Sequence, residues 1–335
     1  MSNPVSPDEF RALRTHRTGD ESRSALETVQ VADLSAGELL VRTRWAGVNY
    51  KDSLAVTGRA AVLEGSPRIA GIELVGTVER SAVGDFSPGD EVLVHGFGTG
   101  VAYDGGFSEF VRVRHGHAMR IPPGLDPWQA AVLGVPGFSV ALALDQFESL
   151  GLDPDAGPVA VSGATGAVGL LAIAILSRLG YRTAALTRRA DLAESLRALG
   201  AAEVIPAGEA IDGRRGLEKA RFAAAIDNVG GDTLSWLLRS LQPRGLLASV
   251  GNASGNGFSA NVLPFILRQV HLFGVVANAP WPVRERLWAR LGAQWKPDFG
   301  RLGPHLRQIR LEDLHEHCRR QVAGATAGRT LVAFG

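Results

Sequence analysis

The chain carries a single cysteine, Cys318, and only two methionines and three tyrosines in 335 residues. One thiol excludes an internal disulfide and a multi-cysteine metal site, and a reduced, cytoplasmic setting is expected. His315 and His317 stand beside that thiol on a stretch from Leu314 that reads as a helix, but residues two apart point to different sides of a helix and make a poor ligand set. An excess of charge of either sign is also lacking. With 35 Lys+Arg against 34 Asp+Glu, the net charge of +1 supports neither a nucleic-acid partner nor an anionic membrane. No run approaches the roughly 20 uninterrupted apolar residues of a membrane span, and Leu170 to Leu176 is far too short. Met1 to Arg23 is polar and lacks the apolar core of a signal peptide. Internal repeats and low-complexity linkers are absent as well.

What is present is 45% hydrophobic residues, enough for two cores. The most informative stretch runs from Pro158 to Gly180. A strand-like run, Val159 to Ser162, meets a glycine-rich turn, and good helix formers then continue to Gly180, placed as the residue after a helix C-cap. Gly166 lets a backbone approach a pyrophosphate at a helix N-terminus, and Gly169 lets helix and strand pack closely. Ala164, with Thr165, Gly166, Ala167 and Val168, forms the turn; alanine replaces the first glycine of the dinucleotide fingerprint, so a purely structural turn stays open. At the end of a second strand, Tyr181 to Leu186, an NAD site would carry an acidic residue. This chain has Thr187, Arg188 and Arg189, a hydroxyl and two guanidiniums that suit the 2′-phosphate of NADPH, the alternative being a solvated arginine cap.

Up to about Leu125, short strands broken by glycine and proline (Glu38 to Trp45, Glu73 to Val78, Asp90 to Val94, Gly106 to Val113) predict a barrel-like β domain. Strands then alternate with helices. Val159 to Ser162, Tyr181 to Leu186, Glu203 to Ile205, Phe222 to Asp227, Leu246 to Val250 and His271 to Val276 predict a doubly wound parallel sheet. The chain closes with Arg329 to Phe334, a strand expected to return to the first domain. The divisions expected are 1–125, 126–277 and 278–335. Asn228, after strand four, and Val250 and Gly251, after strand five, are placed along the dinucleotide. Asp227 reads either as part of that lining or as a buried carboxylate stabilising its turn.

These pieces together resemble the zinc-free branch of the medium-chain dehydrogenase/reductase superfamily, within it the acryloyl-CoA reductase and quinone oxidoreductase group. The resemblance covers nearly the whole chain. It is carried by Asn49-Tyr-Lys-Asp52, Leu54-Ala-Val-Thr-Gly58, Gly71-Ile-Glu73, Gly105-Gly-Phe-Ser-Glu109, Ser162 to Gly169, Asp227-Asn-Val-Gly-Gly231, Pro264 to Arg268 and Gly328 to Val332. It implies an α/β protein: a GroES-like β-barrel domain built from both chain ends, beside a Rossmann domain. Zinc enzymes of the superfamily need a thiolate where Asn49 stands and an imidazole where Ile72 stands, so no zinc is expected. A short-chain reductase is excluded because no tyrosine is followed four residues later by lysine, and there is no Gly-x-Ser-x-Gly nucleophile elbow.

A metal-free NADPH enzyme is left with hydride delivery to an acceptor that needs little activation. A conjugated enone, an enoyl thioester or a quinone moves negative charge onto an oxygen, which must be met by donors. In the family the stretch matching Asn49 to Asp52 faces the cleft. Tyr50 is expected to contact the nicotinamide and to donate a hydrogen bond or proton, with Asn49 as a second donor and water as an alternative proton source; a packing role for Tyr50 stays open. Asp52 is expected to cap a helix beginning near Ser53. By resemblance Arg329 belongs to the cofactor or substrate rim; otherwise it is a surface residue on an edge strand. Arg284, Arg286, Arg290, Arg59 and Arg68 are the cations available to a CoA ester. The family tends to have Gly-(Val/Ile)-Asp-Ser after strand six, whereas Val276 and Ala277 follow Gly274-Val275 here. Reduction of an acryloyl-CoA-like ester leads, an NADPH:quinone reductase follows, and a non-catalytic NADPH-binding protein is the third reading. An apolar sixth strand at the sheet edge predicts a homodimer joined there.

Overall fold

The computed structural model describes residues 8–19, 21–208 and 215–335, and these fall into two compact units. The first holds residues up to Val135 together with Leu306–Gly335; the second runs from Pro136 to His305. These divisions lie beyond 125/126 and 277/278, the boundaries read from the sequence. The second shift has a packing cause. In the helix Trp281–Gly292, Leu287, Trp288 and Leu291 are buried, and Trp288 stacks on Phe138 of the same unit at 6.2 Å.

The first unit is β-rich. Its larger sheet has seven strands, six in the order Leu306–Ile309, Arg329–Ala333, Leu39–Val48, Glu73–Ser81, Glu91–His95 and Ala118–Arg120, with Phe110–Val113 pairing on Leu39–Val48. Leu39 and Val41 enter one core with Leu74, Val92 and Val111, while Leu40 enters another with Phe10, Phe110 and Val332. Alternation with period two therefore lets one strand serve two cores. The closing strand pairs antiparallel with Leu39–Val48, as expected, and so belongs to this unit. A hairpin of Glu9–Thr18 and Glu21–Gln30 was not anticipated.

The second unit is a six-stranded parallel sheet in the order Glu203–Pro206, Thr183–Thr187, Val159–Val161, Phe222–Asp227, Leu241–Ser249, His271–Gly274. Its inner strands are apolar runs buried on both faces; every residue of Val159–Val161, Thr183–Thr187 and Phe222–Asp227 is buried. The fifth strand begins at Leu241, not Leu246, with Pro243 and Gly245 inside it beside a shift of register. The sixth ends at Gly274 and forms the sheet edge.

Pro127–Ser149 corrects the sequence reading of apolar runs. This 23-residue helix is long and apolar enough to cross a membrane by composition alone, yet 78% of its most apolar window is buried within the protein. It is broken at Gly134, whose φ of 44° and ψ of −146° leave the helical region, and Pro136 follows.

Candidate active site

In the second unit the dinucleotide turn has the expected form. Gly166 is the N-cap of the helix Ala167–Arg178, and no side chain caps it, so the first amides of that helix remain available to an anion. A Cβ on Gly166 would meet only Gly163 O, at 3.3 Å, whereas one on Gly169 would lie 2.7 Å from Ala164 Cα. Gly166 thus leaves room for a ligand and Gly169 leaves room for the backbone of the turn at Gly163 and Ala164. Gly180, with φ of 86°, follows the C-cap Leu179 as predicted.

The other cofactor candidates gather at the carboxyl ends of neighbouring strands. Ala164 N donates to Leu186 O at 3.1 Å, joining the turn to the strand that ends at Thr187. Val250 N donates to Asp227 O at 2.7 Å, and the space a Cβ would need on Gly251 is taken by Asn228 O at 2.6 Å. The structure therefore brings Ala164, Thr165, Gly166, Ala167, Val168, Thr187, Asn228, Val250 and Gly251 to one end of the sheet, on both sides of the point where strand order reverses. Asp227 has a structural task. Its carboxylate accepts from Ser162 Oγ at 2.6 Å and Gly230 N at 2.8 Å, while Ser162 Oγ accepts from Asn228 N at 2.8 Å. Burial pushes its pKa up against the pull of these bonds, chiefly the Ser162 hydroxyl.

Arg188 is exposed, and among the described residues it makes no ion pair. Arg189 differs: its guanidinium grips Asp191 by two bonds, of 3.1 and 3.0 Å, and its amide donates to Thr187 Oγ1 at 2.9 Å. Of the two cations expected at a 2′-phosphate, one is already engaged by a carboxylate. An uncapped helix end, a glycine wall and a free guanidinium are together a donor set that fits NADP(H).

In the first unit Asn49 and Tyr50 lie half-buried at the head of the helix Tyr50–Val56. The helix begins at Tyr50, three residues before the predicted start, with Asn49 as its N-cap. Asp52 is its third residue: the carboxylate accepts from Asn49 N and from Ile72 N, both at 2.9 Å, and the Asn49 side chain accepts in return from the Asp52 amide. Asp52 is 1% exposed, and burial raises its pKa from an ordinary 3.8 to about 7. Arg329 corrects both of its sequence readings. It is neither at a rim nor on an edge strand; it is 1% exposed, in a strand flanked on both sides, and pairs with Glu73 at 2.8 Å. Glu73 also accepts from Asn49 Nδ2 at 2.6 Å, so Asn49 and Arg329 meet on one carboxylate.

Glu73 is the residue sequence reasoning quoted in a motif without giving it work. Its signal was a carboxylate opening the apolar run Leu74-Val75. The residues do not suit zinc: Ile72 has no donor atom, the Asn49 amide is committed to Glu73, and burial pushes the Cys318 thiol up to about 12. Among the described residues no group of three or more His, Cys, Asp or Glu side chains is placed to hold a metal. The arginines considered for CoA are largely engaged. Arg286 pairs with Asp145, Arg290 reaches Glu148 at 2.7 Å, Arg68 lies 3.4 Å from Asp104, and Arg284 is buried; Arg59 is exposed.

Comparison with known proteins matches residues 35–123 to the alcohol dehydrogenase GroES-like domain and residues 167–291 to the zinc-binding dehydrogenase domain. The chain is 36% identical over 314 residues to the acrylyl-CoA reductase AcuI of Ruegeria pomeroyi, a match spanning 93% of this chain and 94% of that protein. It is 37% identical over 291 residues to a Bacillus subtilis protein named "Putative quinone oxidoreductase YhfP", spanning 86% and 88% of the two. The crystal structure of the yhdH oxidoreductase from Salmonella enterica in complex with NADP matches with a TM-score of 0.92 at 34% identity, covering 97% of this chain and 100% of that one.

Proposed function

The chain belongs to the medium-chain dehydrogenase/reductase family, and on that premise we propose that it reduces the carbon–carbon double bond of a short α,β-unsaturated acyl-CoA, of the acryloyl-CoA kind, with NADPH and without a metal. The observation that carries the chemistry is the donor pair at the head of Tyr50–Val56: a phenol beside a carboxamide that stands where zinc members of the family need a thiolate. The substrate class is drawn from the likeness to AcuI, which extends over nearly the whole of both chains.

Ala164 to Val168 receive the pyrophosphate on the free amides of the helix N-terminus, and Arg188 receives the 2′-phosphate. Asn228, Val250 and Gly251 line the remainder of the dinucleotide. When bound, NADPH supplies the hydride that the substrate takes at its β-carbon. The charge that then develops on the thioester oxygen is met by hydrogen bonds from Asn49 Nδ2 and the Tyr50 hydroxyl. The α-carbon takes its proton from Tyr50 or from water, which completes the saturated ester.

A quinone reductase is the second reading, favoured by the likeness to YhfP and by the engagement or burial of four of the five arginines considered for the phosphates of CoA. The test is NADPH oxidation, followed by absorbance, with acryloyl-CoA and benzoquinone in parallel and with NADH as control. Turnover with the CoA ester and NADPH supports the first reading; turnover confined to the quinone replaces it with the second. Tight NADPH binding with neither acceptor reduced would leave a binding protein.

A homodimer joined along the sixth strand belongs to the same proposal. His271–Gly274 is an open sheet edge, and beside it in sequence Val262, Ile266, Leu267 and Val276 are 64%, 65%, 63% and 73% exposed. Pairing of that edge with a second copy would bury apolar surface that a monomer leaves in water. A monomeric mass by light scattering at working concentration would remove it.

A further inference from the structure

The break in Pro127–Ser149 frees backbone groups that a continuous helix would pair. Ala131 O loses the amide of Val135, and the residue four beyond Val132 in sequence is Pro136, which has no N–H to give. The Glu73–Arg329 pair fills this break. Arg329 donates to Ala131 O at 2.8 Å and Val132 O at 3.1 Å, so the cation covers the carbonyl side; Glu73 accepts from Val135 N at 2.6 Å, so the anion covers the amide side. A Cβ on Gly47 or on Gly134 would fall onto the paired groups, and each position has none. The pair, 1% and 2% exposed, is thus built in from both sides.

A buried ion pair is a poor source of stability, since apolar residues of similar volume often serve as well. What this one determines is orientation. The Asn49 carboxamide gives one N–H to Glu73 at 2.6 Å and receives the Asp52 amide on its oxygen. Flipping it would set oxygen against the carboxylate. Nδ2 carries a second N–H, the one a substrate oxygen would use.

We infer that Glu73, itself anchored by Arg329, is a positioning residue that aims this N–H at the oxygen of the substrate on which charge develops. The inference rests on the reading of Asn49 as the oxyanion donor. Glu73→Gln should lower kcat ~10–100-fold, as expected for a misplaced donor, with KM for NADPH held within about twofold. In an Asn49→Ala background the same change should cost no further factor beyond about twofold, because the residue acts through Asn49. Losses that multiply would overturn the inference, since they would show Glu73 working independently of Asn49. Should Glu73→Gln fail to fold, Glu73→Gln/Arg329→Gln removes both charges together and takes its place in the cycle. A second readout needs no turnover and no variant that folds poorly. In the ¹⁵N spectrum of the wild-type protein, the Asn49 side-chain amide, assigned by its loss in Asn49→Asp, should show one proton shifted downfield and slow to exchange. An amide pair at the free position would overturn the inference even in an active enzyme. If the wild type reduces neither acryloyl-CoA nor quinone while this proton is held, the functional reading fails and the positioning geometry stands.

Discussion

Replacing Asp52 by asparagine should change the pH dependence of stability in a way that can be worked out in advance. The wild-type carboxylate is 1% exposed, and burial outweighs the amides of Asn49 and Ile72 to raise its pKa from an ordinary 3.8 to about 7. The folded state therefore holds a proton that the unfolded state has released between those two values. The contribution of this group to stability is highest on the acid side, falls as pH rises through that window, and has fallen fully once pH passes about 7. A separation of about three pH units corresponds to ~4 kcal/mol in all, of which about 2 kcal/mol lies between pH 5.5 and 8.

Asparagine keeps the shape and one acceptor but does not titrate. It also turns an NH₂ toward one of the two amides that the carboxylate served, a penalty of ~1–3 kcal/mol that does not depend on pH. The difference between Asp52→Asn and wild type should thus move by about 2 kcal/mol in favour of the variant from pH 5.5 to pH 8. Urea unfolding of both proteins at the two pH values measures it, and other buried titrating groups, such as Asp227 and His317, cancel in the comparison. Parallel pH profiles would refute the reasoning and place the folded pKa of Asp52 near that of an exposed carboxylate.

Arg188→Ala should raise KM for NADPH ~10–100-fold through loss of a charged hydrogen bond and leave NADH unaffected. Arg189→Ala should do less, because Asp191 already holds that guanidinium; an equal rise for both cofactors would contradict this assignment. Gly169→Ala puts a Cβ 2.7 Å from Ala164 Cα, backbone that cannot yield cheaply. It should lower the urea midpoint by the equivalent of ~1–3 kcal/mol, and an unchanged midpoint would show that the turn relaxes. Cys318 is 0% exposed, with its pKa pushed up to about 12. Iodoacetamide at pH 8 should label it only in guanidinium; rapid labelling of the folded protein would mean that its helix opens readily.

The dinucleotide half of the protein was legible because parallel strands buried on both faces leave a strong trace. Phe222 to Asp227 reads as strand on apolarity alone, and the glycines after Val161 mark a tight turn between the strand ending there and a helix. The N-terminal hairpin left a weaker one: Glu9–Thr18 and Glu21–Gln30 carry charge at most outward positions, so a polar stretch hid two ten-residue strands. The fifth strand was cut short for a related reason, since Pro243 and Gly245 signal a turn locally but are tolerated where the register shifts.

The Glu73–Arg329 pair lies beyond local reading of any kind, because 256 residues separate its members. Its traces were scattered over four places: a carboxylate opening an apolar strand, an arginine opening the last one, and glycines at 47 and 134 that look like ordinary turn residues until a Cβ is placed on them. Even the helix break was visible only as a glycine and a proline two residues apart. What joins these signals is a requirement that buried carbonyls and amides be paired, and that requirement acts on the folded backbone. Arg329 was assigned to a rim by resemblance, and otherwise to the surface because an arginine without a local partner reads as a surface group. Its partners are the ends of a broken helix and a carboxylate that holds Asn49. The part of the candidate site that binds a cofactor is thus written in a contiguous motif, while the part that orients a donor is assembled from residues whose only common property is where the fold brings them.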